Sequence, residues 1–169
     1  MFFRLLTSAD LASYLPRLVE VFPEADATRE RAEEMLALGW RCIVADDGGE
    51  LIGGAHWRPV EVEGVGWIAA MDFVWVDERR RGRGLGARLV EHVREDIRVV
   101  CPRALLAADT IAEGPEAERR WNFWRRFGAI DLGQVWVTYR TGARRERLAM
   151  FFLHDVPGRI RLAYLASLG

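Results

Sequence analysis

Apolar positions along this chain recur at two spacings, every second residue or every third to fourth, and the switches between them mark alternating strands and helices. Phe2–Leu6 reads as a first strand. Thr7 with Asp10 forms a capping-box signature, after which Leu11, Leu15, Leu18 and Phe22 stripe a helix. A second helix runs from about Thr28 to Leu38, with Gly39 placed to close it. Arg41–Ala45 and Glu50–Val60 read as strands split by Asp46-Asp47-Gly48-Gly49, a hairpin signal, and Glu63-Gly64 marks another turn. Gly66–Val76 is apolar at nearly every position, as expected of a strand covered on both faces, and Asp72 is the only charge inside it.

Leu89, Val90, Val93 and Ile97 then follow helical spacing with charges between them. Leu105–Ala108 predicts a further strand. Pro115 and Gly128 bracket a helix that carries Ala117, Trp121 and Trp124 on one face. Val135–Arg140 and Leu148–His154 read as the last two strands, joined through Thr141-Gly142. Residues 155–169 are expected to form a short C-terminal arm or helix.

At 169 residues, half of them apolar, the chain suits one α/β domain over 1–169 with its own core. The formal net charge of −1 argues against a nucleic-acid or membrane partner held by a global field. Two cysteines, Cys42 and Cys101, are too few for a disulfide framework and have no metal-ligand spacing. The N-terminus lacks the long apolar run of a signal peptide, and no stretch approaches the roughly 18 apolar residues of a membrane span. These features predict a cytoplasmic protein without a metal centre.

The segment from Val74 to Ala87 carries the chemistry. It leads from the apolar strand into the amphipathic helix through Asp77-Glu78-Arg79-Arg80-Arg81-Gly82-Arg83-Gly84-Leu85-Gly86. Glycines let a backbone approach a ligand closely. The helix that begins near Gly86 presents unpaired N–H groups and a positive dipole end. Strand, glycine loop and helix N-terminus together suit a pyrophosphate. An arginine-rich solvated turn would leave the alternating glycines unexplained. Gly82, Gly84 and Ala87 also satisfy the dinucleotide pattern G-x-G-x-x-A. That pattern normally follows the first strand of a βαβ unit, with an acid about 20 positions on. Here it follows the fourth strand, and positions 103–108 hold no acid.

Arg81-x-x-Gly84-x-Gly86 resembles the R/Q-x-x-G-x-G/A signature of the GNAT acyltransferases. Phe123-Trp124-Arg125-Arg126-Phe127-Gly128 is similar to that family's later motif, and the order of elements matches over about 150 residues. The resemblance implies an α/β fold with a mixed, mostly antiparallel sheet flanked by helices and splayed between strands four and five. It further implies acetyl-CoA or another acyl-CoA as co-substrate. Val74, Trp75 and Val76 would meet the pantetheine arm and acyl group, and Arg81, Gly82, Arg83, Gly84, Leu85, Gly86 and Ala87 the pyrophosphate. Backbone donors near Val74 would polarise the thioester.

Two family residues are absent. The Tyr that can protonate the departing thiolate is Trp124, whose indole has no useful acidity, and the Asn that binds the pantetheine arm is Ala117. Tyr139, Tyr164 and Cys101 are substitutes without a motif. For the base that must deprotonate the amine, Asp72 is the leading candidate. A carboxylate within an apolar strand is costly unless paired or solvated, and Asp72 lies two residues before Val74. Its structural alternative is an ion pair with an arginine. His56, Glu61 and Glu63 come next, each with a solvated surface as the blander explanation. His92 falls among charged helix positions, and His154 ends the last strand.

Trp67 and Trp75 share strand parity with Met71 and Phe73, which predicts core packing or an acceptor cleft with an aromatic wall. The function these features predict is acyl transfer, most simply of acetyl, to the primary amine of a small molecule or peptide. The alternative is a catalytically silent acyl-CoA-binding module. Homodimerisation stays open.

Overall fold

The fold is known from a computed structural model that describes residues 1–22, 27–62, 66–101, 105–111, 114–139 and 142–151, the main chain alone over 105–111, 130–139 and 142–151. The elements are β1 (Phe2–Leu5), α1 (Leu11–Val21), α2 (Arg29–Ala37), β2 (Arg41–Asp47), β3 (Glu50–Val62), β4 (Gly66–Val76), α3 (Leu85–Val100), β5 (Leu105–Ile111), α4 (Ala117–Arg125), β6 (Ile130–Tyr139) and β7 (Gly142–Phe151). Among these residues no helix is long and apolar enough to cross a membrane.

The chain divides into two compact units, residues 1–58 with 72–99 and residues 59–71 with 100–169, and the long strands β3 and β4 pass through both. In the first unit the strand order is β1-β2-β3-β4. The β1–β2 and β2–β3 ladders are antiparallel. Gly48 and Gly49 take φ of +70° and +93° to make the two-residue hairpin turn that the Asp-Gly-Gly signal predicts. In the second unit the order is β4-β5-β7-β6, with antiparallel β5–β7 and β6–β7 ladders. The β4–β5 ladder is parallel and spans Ile68–Met71 against Leu105–Ala108. β4 continues five residues past the end of that ladder. The fold is thus the mixed, mostly antiparallel α/β sheet flanked by helices that the sequence predicts.

Both faces of the first unit's sheet are covered, and two adjacent glycines allow it. A Cβ on Gly53 would lie 3.1 Å from Leu89 Cδ1 of α3, whereas one on Gly54 would lie 2.5 Å from the Tyr14 hydroxyl of α1. Successive strand residues face opposite ways, so this pair admits one helix on each side. Leu89, Val90, Val93 and Ile97 are fully buried. The Asp96 carboxylate of α3 then accepts from Arg41 Nε and Nη2 at 2.6 and 2.7 Å and from Trp57 Nε1 at 2.9 Å. This ties the helix that follows the glycine loop to β2 and β3. At the far end of β2, Arg4 pairs with Asp10 at 2.7 Å and Asp46 at 2.9 Å.

Several boundaries differ from the sequence reading. β6 and β7 begin at Ile130 and Gly142 rather than Val135 and Leu148. The charged run Arg144–Arg147 hides a strand whose ladder is set by its partner, not by its own alternation. α4 starts at Ala117, so Pro115 lies in the turn before it. Residues 155–169 lie outside the described residues.

Candidate active site

The loop after β4 is shaped by its own polar ties. Asp77 donates its N–H to the Ile52 carbonyl at 2.9 Å, and its Oδ1 accepts from the Arg79 N–H at 2.9 Å, opening a 3₁₀ turn over Glu78–Arg80. Arg80 reaches Asp47 at 3.1 Å and Arg17 reaches Asp77 at 3.7 Å. Arg81, the first residue of the motif, folds back so that its Nε donates to the Val76 carbonyl at 3.2 Å. It therefore braces the loop.

Beyond this brace the chain is exposed from Arg81 to Gly84. Gly82 and Gly84 take φ of +76° and +74°, which L side chains rarely adopt. Among the described residues, no atom beyond the chain neighbours lies within 4 Å of where a Cβ would stand on either. The first backward bond of α3 runs from the Arg88 N–H to the Gly84 carbonyl at 3.1 Å. The N–H groups of Leu85, Gly86 and Ala87 thus precede any intrahelical acceptor, at the positive end of a 16-residue helix. The Leu85 side chain is buried and anchors the helix, so only its amide is offered to a ligand. An open glycine turn leading to three such amides fits a pyrophosphate.

On β4, Val74 and Val76 are half-buried, and the Trp75 side chain is buried. Trp75 can meet a ligand in this site only through its main chain. Asp72 is half-buried, with Oδ2 3.9 Å from Arg58 Nε. The Arg58 guanidinium lies 5.1 Å above the Trp40 ring. The ion-pair partner considered for Asp72 is therefore at hand, at the outer limit of contact.

A buried polar network stands on the α1 side of the same sheet. The Tyr14 hydroxyl accepts from Trp75 Nε1 at 2.9 Å and from the Cys42 thiol at 3.3 Å, and it hydrogen-bonds His56 Nε2. With two donors already directed at the hydroxyl oxygen, its proton goes to Nε2. This leaves the His56 ring proton on Nδ1. Burial pushes the His56 pKa down to about 4 and the Cys42 thiol up to about 12. His56 is half-buried beside α1 rather than freely solvated. Its base role also weakens, since a useful base titrates near the working pH. No motif in the sequence marks Tyr14, whose only signal is its helical spacing between Leu11 and Leu18 on the buried face of α1.

The sign of the His56 shift has a consequence. As pH falls below about 6.5 the unfolded chain takes up a proton that the folded ring refuses until near pH 4, so stability declines across that window. NMR should show the ring resonances titrating with a midpoint near 4. A midpoint at 6 or above would mean that the ring is not held in this network.

The other sequence candidates do not gather here. His92 stacks on Phe3 at 4.3 Å with Nδ1 3.1 Å from Glu95. Glu61 is exposed and Cys101 is half-buried. Glu63, His154, Tyr164 and the Tyr139 side chain lie outside what the structure describes. In the second unit Trp124 is buried on α4 with Ala117 and Trp121, its ring 4.9 Å from Phe123 and 6.5 Å from Phe127. Trp124→Tyr should therefore bury a hydroxyl and cost about 1–3 kcal/mol, seen as a lower Tm. A stable variant that gains an alkaline limb in its rate profile would instead put residue 124 at the chemistry.

The sequence profile of the acetyltransferase (GNAT) family matches residues 9–129, from the start of α1's approach to just past α4. The chain belongs to that family. No curated protein matches the chain at a significant level. Among solved structures, Arabidopsis thaliana NAA60 in complex with acetyl-CoA is 17% identical, covers 91% of this chain and 99% of its own, and has a TM-score of 0.75. An aminoglycoside 6'-N-acetyltransferase complexed with coenzyme A is 17% identical over 93% of this chain and 99% of its own, with a TM-score of 0.70. A ribosomal-protein-alanine N-acetyltransferase from Brucella melitensis is 24% identical over 89% and 98%, with a TM-score of 0.67. At these identities the likeness establishes the GNAT fold.

Proposed function

We propose that this GNAT chain transfers an acyl group, most simply acetyl, from CoA to a primary amine by direct attack in a ternary complex. The observation that carries this reading is the loop itself: two left-handed glycines with open space above them, leading into three helix-terminal amides. Residues 81–87 would hold the pyrophosphate through these amides. The main chain of Val74–Val76 would hold the pantetheine arm. Acetyl-CoA supplies a thioester carbonyl as electrophile. The amine nitrogen bonds to that carbon, the C–S bond breaks, and the sulfur leaves as thiolate, protonated by water in the absence of the family's tyrosine. Asp72 takes the proton from the attacking amine.

One observation favours a second reading. A buried indole at position 124, with Ala117 about two helical turns before it, leaves that part of the family's CoA machinery absent. A silent acyl-CoA-binding module would look the same. Thiol release from acetyl-CoA, measured with a mixed panel of primary amines, separates the two. Acyl transfer gives amine-dependent release. A flat response to every amine, in a protein that CoA still stabilises, would establish the binding module.

A further inference from the structure

The α1 face of the first unit holds a cavity of about 220 Å³ walled by α1, α2, β2, β3 and β4. Its wall is aliphatic and aromatic, with Leu15, Ala32, Leu36, Trp40 and Phe73 among its residues. Several of the polar groups that reach it are engaged within the protein. Arg41 is bidentate on Asp96, and Arg31 pairs with Glu34 at 2.6 Å. The Tyr14 hydroxyl meets His56, Trp75 and Cys42. A wall this rich in aliphatic and aromatic carbon offers an incoming charge or hydroxyl few partners, and desolvating such a group would go largely uncompensated.

Size and place narrow the occupant. A dry apolar cavity of about 150 Å³ holds benzene, so this one has room for a phenyl ring with a short arm or for a chain of several methylenes. The wall meets the proposed base through Trp40, whose ring lies 5.1 Å from the Arg58 guanidinium that stands 3.9 Å from Asp72.

We propose that this cavity receives an uncharged, apolar side group of the acceptor amine, alkyl or phenyl in character, while its amine remains outside toward Asp72. The proposal rests on the acyl-transfer reading and adds the chemical class of the acceptor. It disfavours polycationic and sugar-like amines, for whose charges and hydroxyls the mostly apolar wall has few partners.

The test is a homologous series of ethylamine, butylamine and hexylamine, with 2-phenylethylamine alongside, titrated against the CoA-loaded protein by saturation-transfer NMR and calorimetry. Each buried methylene contributes about fourfold, so hexylamine should bind on the order of 10²-fold more tightly than ethylamine. Ala32→Leu fills the cavity from α2 and Leu15→Phe from α1. In each variant that keeps its Tm, the ethyl-to-hexyl ratio should collapse below about tenfold. Affinity that is flat along the series, or a slope untouched by both folded variants, would overturn the proposal. Thiol release is read on the same samples. Release without a slope leaves acyl transfer standing and overturns only the apolar assignment. A slope without release removes acyl transfer, and the acceptor assignment with it.

Discussion

CoA at 100 times its Kd should stabilise the protein by about 2.7 kcal/mol, and Gly84→Val should erase that gain. For a chain of this size each kcal/mol moves Tm by about 2–4 °C, so the wild-type shift is easily seen. Two physical effects act together in the variant. Gly84 sits at φ +74°, where a β-branched residue is strained. Its side chain would also occupy the open space above the loop, where nothing now lies within 4 Å and where a pyrophosphate must approach. The strain lowers apo stability by roughly 1–2 kcal/mol, a loss the fold can absorb because residues 81–84 are exposed and carry no core side chain. The blocked approach removes binding. A variant that still shows the full CoA shift would rule out this loop as the pyrophosphate site.

Asp72→Asn should lower kcat/KM by about 10²-fold or more at neutral pH, the scale of a lost general base. Asparagine keeps the shape of the side chain but accepts no proton. The deficit should narrow as pH rises, because the amine then arrives already deprotonated. Arg58 supplies the control. If Asp72 serves only the ion pair at 3.9 Å, Arg58→Met should lower Tm as Asp72→Asn does, and neither should alter the pH profile. If Asp72 is the base, Arg58→Met should retain most of the rate while Asp72→Asn does not. Full activity of Asp72→Asn at pH 7 would remove Asp72 from the mechanism.

The parts that were legible in the sequence are those governed by local chemistry. Thr28 caps α2 by accepting from the Arg31 N–H at 3.2 Å, and Gly39 closes that helix at φ +87°. Gly66–Val76 is a strand over the same residues that its continuous apolar run predicts. Position by position, the loop reads as Gly82 and Gly84 in left-handed conformation followed by a helix start. Each of these depends on a residue and its neighbours within one turn, which is the range over which a sequence states its own constraints.

Other features arise from contacts between distant segments. β7 is strand because β5 and β6 flank it, although Arg144–Arg147 alone would not say so. His56 looks solvent-facing on its strand and is held by Tyr14 of α1, 42 residues away in sequence. Gly53 and Gly54 look like weak points in a strand until Leu89 and Tyr14 close on either side. Asp72 has its arginine partner on another strand. The chain by itself determined the family motif, the element order and the anion-cradling loop, because glycine conformations and helix ends are local properties. Tertiary structure decided which polar groups are buried and neutral, and where an apolar-walled cavity opens, because desolvation depends on which distant segments exclude water.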